Sequence, residues 1–419
     1  MENTEKNYQL ACEQFAAVGV DVEKALQTLE KTPISLHAWQ GDDVKGFEDF
    51  THALTGGCQV TGNYPGVARS ADELRQDLDM ALSLLGGTWR VNLQAHEVDK
   101  IFPGQDRDTL TIDNYTGWLT WAKEKKIGLD LAPVYYSHPK LERGLSLSHP
   151  DIGIRQFWIN HGKACRRIGA QFGRELGTPC VCNFWVPDGF KDIPADRLSA
   201  RRRLLESLDA SFVETFPESE LLDAVESKLF GIGAESCTVG SHDFYLTYAA
   251  QHKKLICLDS GHFHPTESIA DKLSALVVQQ GRILLHVSRG VRWDSDHVIL
   301  LDDQLLAIGR ETVRSGAMDD IHIALDYFDA SINRISAWVT GARNMQKALL
   351  IGLLEPFKML REAENAGDYT ARQAWSEAAK TLPWGAVWQY FCAKHNLPSD
   401  FSALEDIRRY ERTVLSARG

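Results

Sequence analysis

"LICLDSGHFHPTESIADKLSALVVQQGRILLHVS", residues 255–288, decides the fold. It opens on an apolar run at 255–260, crosses a polar loop, continues as a helix-like segment and meets a second apolar run at 283–288. Short apolar runs bounded by turn residues read as strands buried on both faces, and a strand–helix–strand order implies a parallel βαβ unit. The same order repeats outward in both directions. Further runs lie at 34–39, 90–95, 127–133, 179–186, 221–227 and 321–328, which brings the count to eight. Eight units predict a closed (β/α)8 TIM barrel of the α/β class, with an open doubly wound sheet as the alternative. No Gly-rich dinucleotide fingerprint or phosphate loop follows the first run, which weakens the open-sheet reading. Residues 1–33 read as an N-terminal helical segment, 34–344 as the barrel catalytic domain, and 345–419 as a long C-terminal helical extension that supplies oligomer contacts.

The composition sets the function classes. The chain has 419 residues, 44% of them apolar, and a formal charge of −12. An acidic surface argues against nucleic acid and anionic membranes as partners, because both call for basic patches. No apolar run reaches the roughly 18 residues of a membrane span. The opening "MENTEKNYQLACEQF" is polar and has no signal-peptide core. Eight cysteines are scattered without a CxxC pair, which reads as reduced, buried thiols in a cytoplasmic protein.

The quoted stretch also raises a chemical question, because its first strand ends in an acid, Asp259, and the loop beyond carries His262 and His264. Catalytic groups of a parallel barrel sit at the C-terminal ends of its strands. Four consecutive late strands carry a metal-type ligand near that end: Glu226, Asp259, His286 and Asp326. Three carboxylates and one imidazole converging on a point repel one another unless a cation holds them. Taken singly, a strand-end Asp is an ordinary helix cap and a lone His an ordinary core residue. Their recurrence on neighbouring strands favours a closed metal cage. His262, Asp294 and Asp296 form a second group, with the two acids two residues apart in a loop and so pointing the same way. This set leaves positions open for a substrate. Oxygen-rich sites with one imidazole favour Mn²⁺, with Mg²⁺, Co²⁺ and Zn²⁺ as competitors. His264 and His297 read as structural. Lys228 shares a face with Glu226 and reads equally as an ion-pair partner or as a group that polarises a substrate oxygen. His37 with Trp39, and Asn183 with Trp185, share faces at the ends of the first and fourth strands, where a Trp face suits a sugar's C–H face and His or Asn its hydroxyls. Filling of the barrel mouth explains the tryptophans equally well.

Beyond single residues, the strings "PISLHAWQGDDVKGFE", "TGNYPG", "NFWVPDG", "DAVESKLFGIGAES", "LDSGHFHPTE", "LLHVSRGVRWDSDHV", "LDYFDASINR", "GDYTAR" and "LPW" resemble the L-rhamnose isomerase family over nearly the whole chain. The resemblance implies a (β/α)8 barrel, a homotetramer, a manganese-dependent reaction and reversible conversion of L-rhamnose to L-rhamnulose in the cytoplasm. It implies that Glu226, Asp259, His286 and Asp326 hold an inner metal and His262, Asp294 and Asp296 a second, catalytic one. It also implies that Lys228 and Trp185 line the sugar site. One departure stands out. The family pattern has a histidine after Asn-Leu in the second strand, whereas "NLQAHE" places Gln94 there and His96 two residues on, both expected on the same side of the strand.

Aldose-to-ketose conversion moves one hydrogen from C2 to C1 and one proton between O2 and O1. A carbon base acting through an enediol is one route, and a metal-assisted hydride shift is the other. The shift is favoured, because every carboxylate placed at the strand ends is committed to a metal and only His37, Gln94 and His96 remain as remote candidates. Asp326 with a metal-held water would carry the hydroxyl proton, and Lys228 would stabilise charge at O1. A barrel metallonuclease and a non-catalytic metal- and sugar-binding protein are the rival readings. The negative charge opposes the first and the open metal set the second.

Overall fold

The computed structural model describes residues 2–48, 55–399 and 402–418. Eight parallel strands close into a barrel: β1 (Ile34–His37), β2 (Trp89–Gln94), β3 (Gly128–Ala132), β4 (Cys180–Trp185), β5 (Leu221–Glu226), β6 (Leu255–Asp259), β7 (Ile283–Val287) and β8 (Ile321–Leu325). Each coincides with one of the eight apolar runs. Closure is made by β1, which pairs with β2 through Ile34↔Trp89 and with β8 through Ile34↔Ile323.

The return helices start where the sequence supplies caps. The side chains of Ser70, Asp151, Asp196, Ser241, Ser268, Asp302 and Asn333 each accept a hydrogen bond from a first-turn backbone N–H of the helix that follows. The last of these helices, Arg334–Leu353, runs across the boundary expected at 344/345, so the extension's own helices begin at Phe357. They are Phe357–Asn365, Tyr369–Ala379, Trp384–Lys394 and Ala403–Thr413. The N-terminal helices Glu2–Ala17 and Val22–Lys31 lie against this extension. Tyr8 stacks on Tyr390 at 3.7 Å between ring centroids, and His395 meets Glu30 at 2.7 Å.

The barrel interior is divided. Leu222, Ala224, Leu255, Cys257, Leu284 and Ala324 make a buried apolar cluster apart from the main core. Toward β1–β3 the filling is polar, with Asp130 accepting from Ser35 at 2.7 Å and paired with Arg90 at 2.8 Å. Pairing those charges avoids the cost of leaving either one buried alone.

Candidate metal centre

The strand ends explain why the opening stretch carries its acid and histidine. Glu226 and Asp259 are the last residues of β5 and β6, His286 is the penultimate residue of β7, and the register sets Asp259 beside His286. Asp326 follows β8 and continues its ladder by donating its N–H to Val287 O at 3.0 Å. A tight turn after β6, with His262 N–H donating to Asp259 O at 3.2 Å, folds the His262 ring back over the strand end. The loop after β7 is pinched by reciprocal 3.2 Å hydrogen bonds between Arg289 and His297, and it carries Asp294 and Asp296 to the mouth. Asp296 takes a left-handed backbone, φ +45°. His264 is exposed and hydrogen-bonded to Thr266, and His297 bonds Ser295, so both are turn residues.

One ligand atom from each of Glu226, Asp259, His286 and Asp326 lies within 4.8 Å of the others. His286 Nδ1 is 3.3 Å from Glu226 Oε2 and 3.0 Å from Asp326 Oδ2. Asn183 donates to Glu226 Oε2, Ser288 to Asp259 Oδ1 at 2.8 Å and Trp39 Nε1 to Asp326 Oδ1 at 3.1 Å, which orients all three acids. The outer trio is looser. His262 Nε2 is 3.3 Å from Asp294 Oδ2 and its Nδ1 is 3.4 Å from Glu226 Oε1. Among the described residues the ligand atoms of His262, Asp294 and Asp296 do not all fall within that 4.8 Å.

Electrostatics favours a cation here. Burial pushes Asp259 up to about 7, with repulsion from Asp326, Glu226 and Asp294 adding to it and His262 offsetting part. Burial and then Asp294, Asp326 and Asp259 hold Asp296 well above the carboxylate range. For His262, burial works downward, but Asp294 and Asp259 outweigh it and the imidazole is held well above its ordinary value. Asp259 and Asp296 keep protons that a divalent ion would displace. The donor set fits such an ion on a second count. Glu226 Oε1, Asp259 Oδ2, Asp294 Oδ1, His262 Nδ1 and His286 Nε2 are buried without a hydrogen-bond partner among the described residues. That many orphaned acceptors in one place are explained by a cation.

Beside the acids lies a cavity lined by Trp39, Gln94, Tyr136, Trp185, Lys228 and Phe328, among others. Lys228 Nζ stands 3.7 Å from Asp294 Oδ2 and 4.9 Å from the Trp185 ring centroid, so it is at once ion-paired and turned to the cavity. His37 differs from the expectation. It is fully buried behind Trp39 and pushed down to about 3 by burial, and it does not reach the cavity wall. His96 differs as well. β2 ends at Gln94 and the chain turns, Glu97 N–H donating to Gln94 O at 2.8 Å, so His96 sits behind Gln94 with Nε2 2.8 Å from its Oε1. Gln94 faces the cavity and His96 does not. Tyr136, Cys58 and Phe328, also on the cavity wall, carry no local sequence signal that singles them out.

A parallel barrel with an acidic, imidazole-bearing cation centre beside a polar cavity at its C-terminal mouth defines a metal-assisted barrel enzyme acting on a small molecule. The chain belongs to the L-rhamnose isomerase family, whose model matches residues 2–418. It is 55% identical over 414 residues to the L-rhamnose isomerase of Salmonella typhi, and equally so to that of Salmonella heidelberg strain SL476, covering 99% of this chain and of each relative. Among solved structures, D-psicose 3-epimerase with D-tagatose from Clostridium cellulolyticum H10 aligns with 76% of this chain and 97% of its own, at 11% identity and TM-score 0.47, too distant to carry an argument.

Proposed function

We propose that this enzyme interconverts L-rhamnose and L-rhamnulose, an aldose–ketose isomerisation, with two divalent cations per subunit. The observation that carries the reading is the four-ligand convergence at the ends of β5–β8 beside an open trio and a buried lysine. Glu226, Asp259, His286 and Asp326 would hold the inner ion, and His262, Asp294 and Asp296 the outer one. Manganese suits a set rich in oxygen with one imidazole in each group, ahead of Mg²⁺, Co²⁺ or Zn²⁺. When bound, the cations would supply Lewis acidity at the adjacent sugar oxygens O1 and O2.

The chain's own groups do the rest. Lys228 holds a positive charge toward O1, where negative charge develops. Asp326 is the most exposed acid of the inner set, its side chain 18% accessible, and can move the hydroxyl proton between O2 and O1. Trp185 and Trp39 offer flat walls to the sugar. Every carboxylate lining the described cavity belongs to one of the two cation sets. The Cys58 thiol is pushed far up by burial and is no base. With no free base among the described residues of the cavity, the hydrogen would pass directly from C2 to C1. No helix among the described residues is long and apolar enough to cross a membrane. A cytoplasmic homotetramer taking a free sugar, with no nucleic-acid or membrane partner, accords with the family and the acidic charge. The rival metallonuclease and binding-protein readings do not accord with the family.

Measuring ketose formation from L-rhamnose, before and after EDTA and after Mn²⁺ is restored, tests the proposal. Turnover that survives complete chelation refutes the metal reading. Absence of rhamnulose from the fully loaded protein refutes the substrate.

A further inference from the structure

The turn that withdraws His96 from the cavity also gives it a partner. Gln94 N–H donates to Glu97 Oε2 at 2.7 Å and Glu97 N–H to Gln94 O at 2.8 Å, so residues 94–97 close on themselves. The buried His96 ring is packed from several sides. It stands at 87° to the Tyr136 ring, with 6.1 Å between centroids. Gly46 packs against it with φ +67°, and a Cβ at that position would come 2.4 Å from His96 Cγ. Phe47 N–H donates to His96 O at 2.8 Å. This packing leaves the ring little room to turn, and its Nε2 lies 2.8 Å from Gln94 Oε1. Burial, then the charge of Arg107, push His96 well below its ordinary value, so the imidazole is neutral and carries one N–H. Its Nδ1 is buried without a partner among the described residues. An orphaned N–H is the rarer kind of buried defect, which puts the proton on Nε2 and makes His96 the donor to Gln94 Oε1. That bond occupies the amide oxygen. Gln94 lines the cavity, and its amide nitrogen has no acceptor among the described residues.

We propose that His96 is a positioning residue for substrate recognition: it fixes the Gln94 amide with its nitrogen toward the cavity, as a donor to a sugar oxygen beyond C2. The sugar half of this rests on the isomerase reading of the cavity, whereas the orientation of the amide rests on the His96–Gln94 pair alone. The place along the sugar follows from the barrel. β2 stands opposite β6, four strands away in either direction, so Gln94 faces the acids of β5–β8 across the mouth. With O1 and O2 held on the acidic side, the oxygen that meets Gln94 belongs to a later carbon. A free glutamine amide turns either end to a ligand and takes a donor or an acceptor. Held by His96, it offers N–H groups only, so the oxygen opposite must accept. A sugar without an oxygen at that carbon leaves the amide unpaired and is selected against.

Two measurements test it. Steady-state kinetics on L-rhamnose with the metal-loaded, full-length protein compare Gln94→Ala, His96→Leu and the double variant. Each single change should raise KM roughly 3- to 10-fold, the worth of one neutral hydrogen bond, with kcat moved less. The double variant should be no worse than Gln94→Ala alone, because His96 acts only through Gln94. His96→Gln, which carries an amide N–H in reach of the same oxygen, should recover most of the loss. An unchanged KM in Gln94→Ala, or losses that add in the double variant, would reduce His96 to packing at the turn and overturn the proposal. The second measurement reads the tautomer directly. Magic-angle-spinning NMR of ¹⁵N-histidine-labelled protein at pH 7, with the His96 signals found by their loss in His96→Leu, should show a neutral ring protonated at Nε2. A proton on Nδ1, or a doubly protonated ring, overturns the amide's orientation whatever the turnover. Should His96→Leu fail to fold, His96→Gln supplies the assignment, and the tautomer with the Gln94→Ala kinetics still decides. A wrong tautomer with turnover intact strikes this inference alone. The expected tautomer in a protein that turns over no L-rhamnose strikes the isomerase reading, and the sugar contact with it.

Discussion

Replacing Lys228 by Met keeps an unbranched side chain, one heavy atom shorter, and removes the ammonium with its charge and its donors. Lys228 is buried, 4% exposed, and its Nζ lies 3.7 Å from Asp294 Oδ2. At an effective dielectric of about 20, unit charges at that separation interact by about 4.5 kcal/mol. Asp294 carries its charge throughout the cycle, so that interaction contributes nothing to the rate. What counts is the new charge at O1, which the ammonium meets from the cavity side. Removing one preorganised donor of this kind costs about 2.7–4 kcal/mol of transition-state stabilisation, or roughly 10²- to 10³-fold in kcat. KM should move much less, because the ground-state carbonyl oxygen is neutral. The fold should survive, since Asp294 keeps His262 at 3.3 Å. The assay is steady-state kinetics on L-rhamnose at saturating Mn²⁺, with metal content measured on the same samples. A fully loaded Lys228→Met enzyme with kcat within threefold of wild type would refute the electrostatic role and leave Lys228 as an ion-pair partner of Asp294.

Asp294→Asn and Asp296→Asn should each reduce turnover below detection while circular dichroism stays native, because both acids belong to the open outer set. Normal activity in both variants removes that set from the mechanism. Isomerisation in D₂O should give L-rhamnulose with protium retained at C1, read by NMR. Deuterium entering C1 at the rate of turnover would demand a carbon base that the described cavity does not offer. The folded-state pKa of Asp259 lies at about 7, above the ordinary 3.8, so folding takes up a proton between those values. This group's contribution to the stability of the metal-free protein therefore falls as pH rises from about 4 to 7, and Mn²⁺ affinity rises over the same range. Thermal melts with and without Mn²⁺ at pH 5.5 and 7.5 check it, and a Mn²⁺-induced shift no larger at the higher pH contradicts it. Sedimentation should give a species of four 46.9 kDa chains, and a monomer at micromolar concentration would refute the tetramer.

The eight strands were legible because each is buried on both faces, so that apolar composition alone marks it against polar loops. Most of the cation centre was legible for a related reason. A carboxylate at the tip of an apolar run has no packing role, and the spacing of such tips matches one strand–helix unit. The reading faltered where the chain leaves the strand. Alternation put Gln94 and His96 on one face, but β2 stops at Gln94 and a turn withdraws His96 behind it. Strand ends depend on ladder partners contributed by distant segments, which a local pattern does not contain. Asn183, read as a sugar contact, lines the cavity and also donates to Glu226, 43 residues away, a link that no local pattern contains. The boundary at 344/345 falls inside the helix Arg334–Leu353, since an amphipathic helix gives no sign of where the barrel ends and the extension begins.

The stacking of Tyr8 on Tyr390 and the pairing of β1 with β8 also set a timetable for synthesis. The helix Glu2–Ala17 leaves the ribosome well before the extension, with Tyr8, Ala11 and Phe15 as its buried stripe, and the surface that covers Tyr8 is translated about 380 residues later. At roughly 5–20 residues per second, that stripe waits on the order of 20–80 s for its partner. β1 likewise stays an open edge until β8 has left the exit tunnel. A nascent chain arrested before Trp384 should therefore be cut by protease within its first 31 residues, while the completed chain resists. Until the extension is made, that stripe is apolar surface still without its cover.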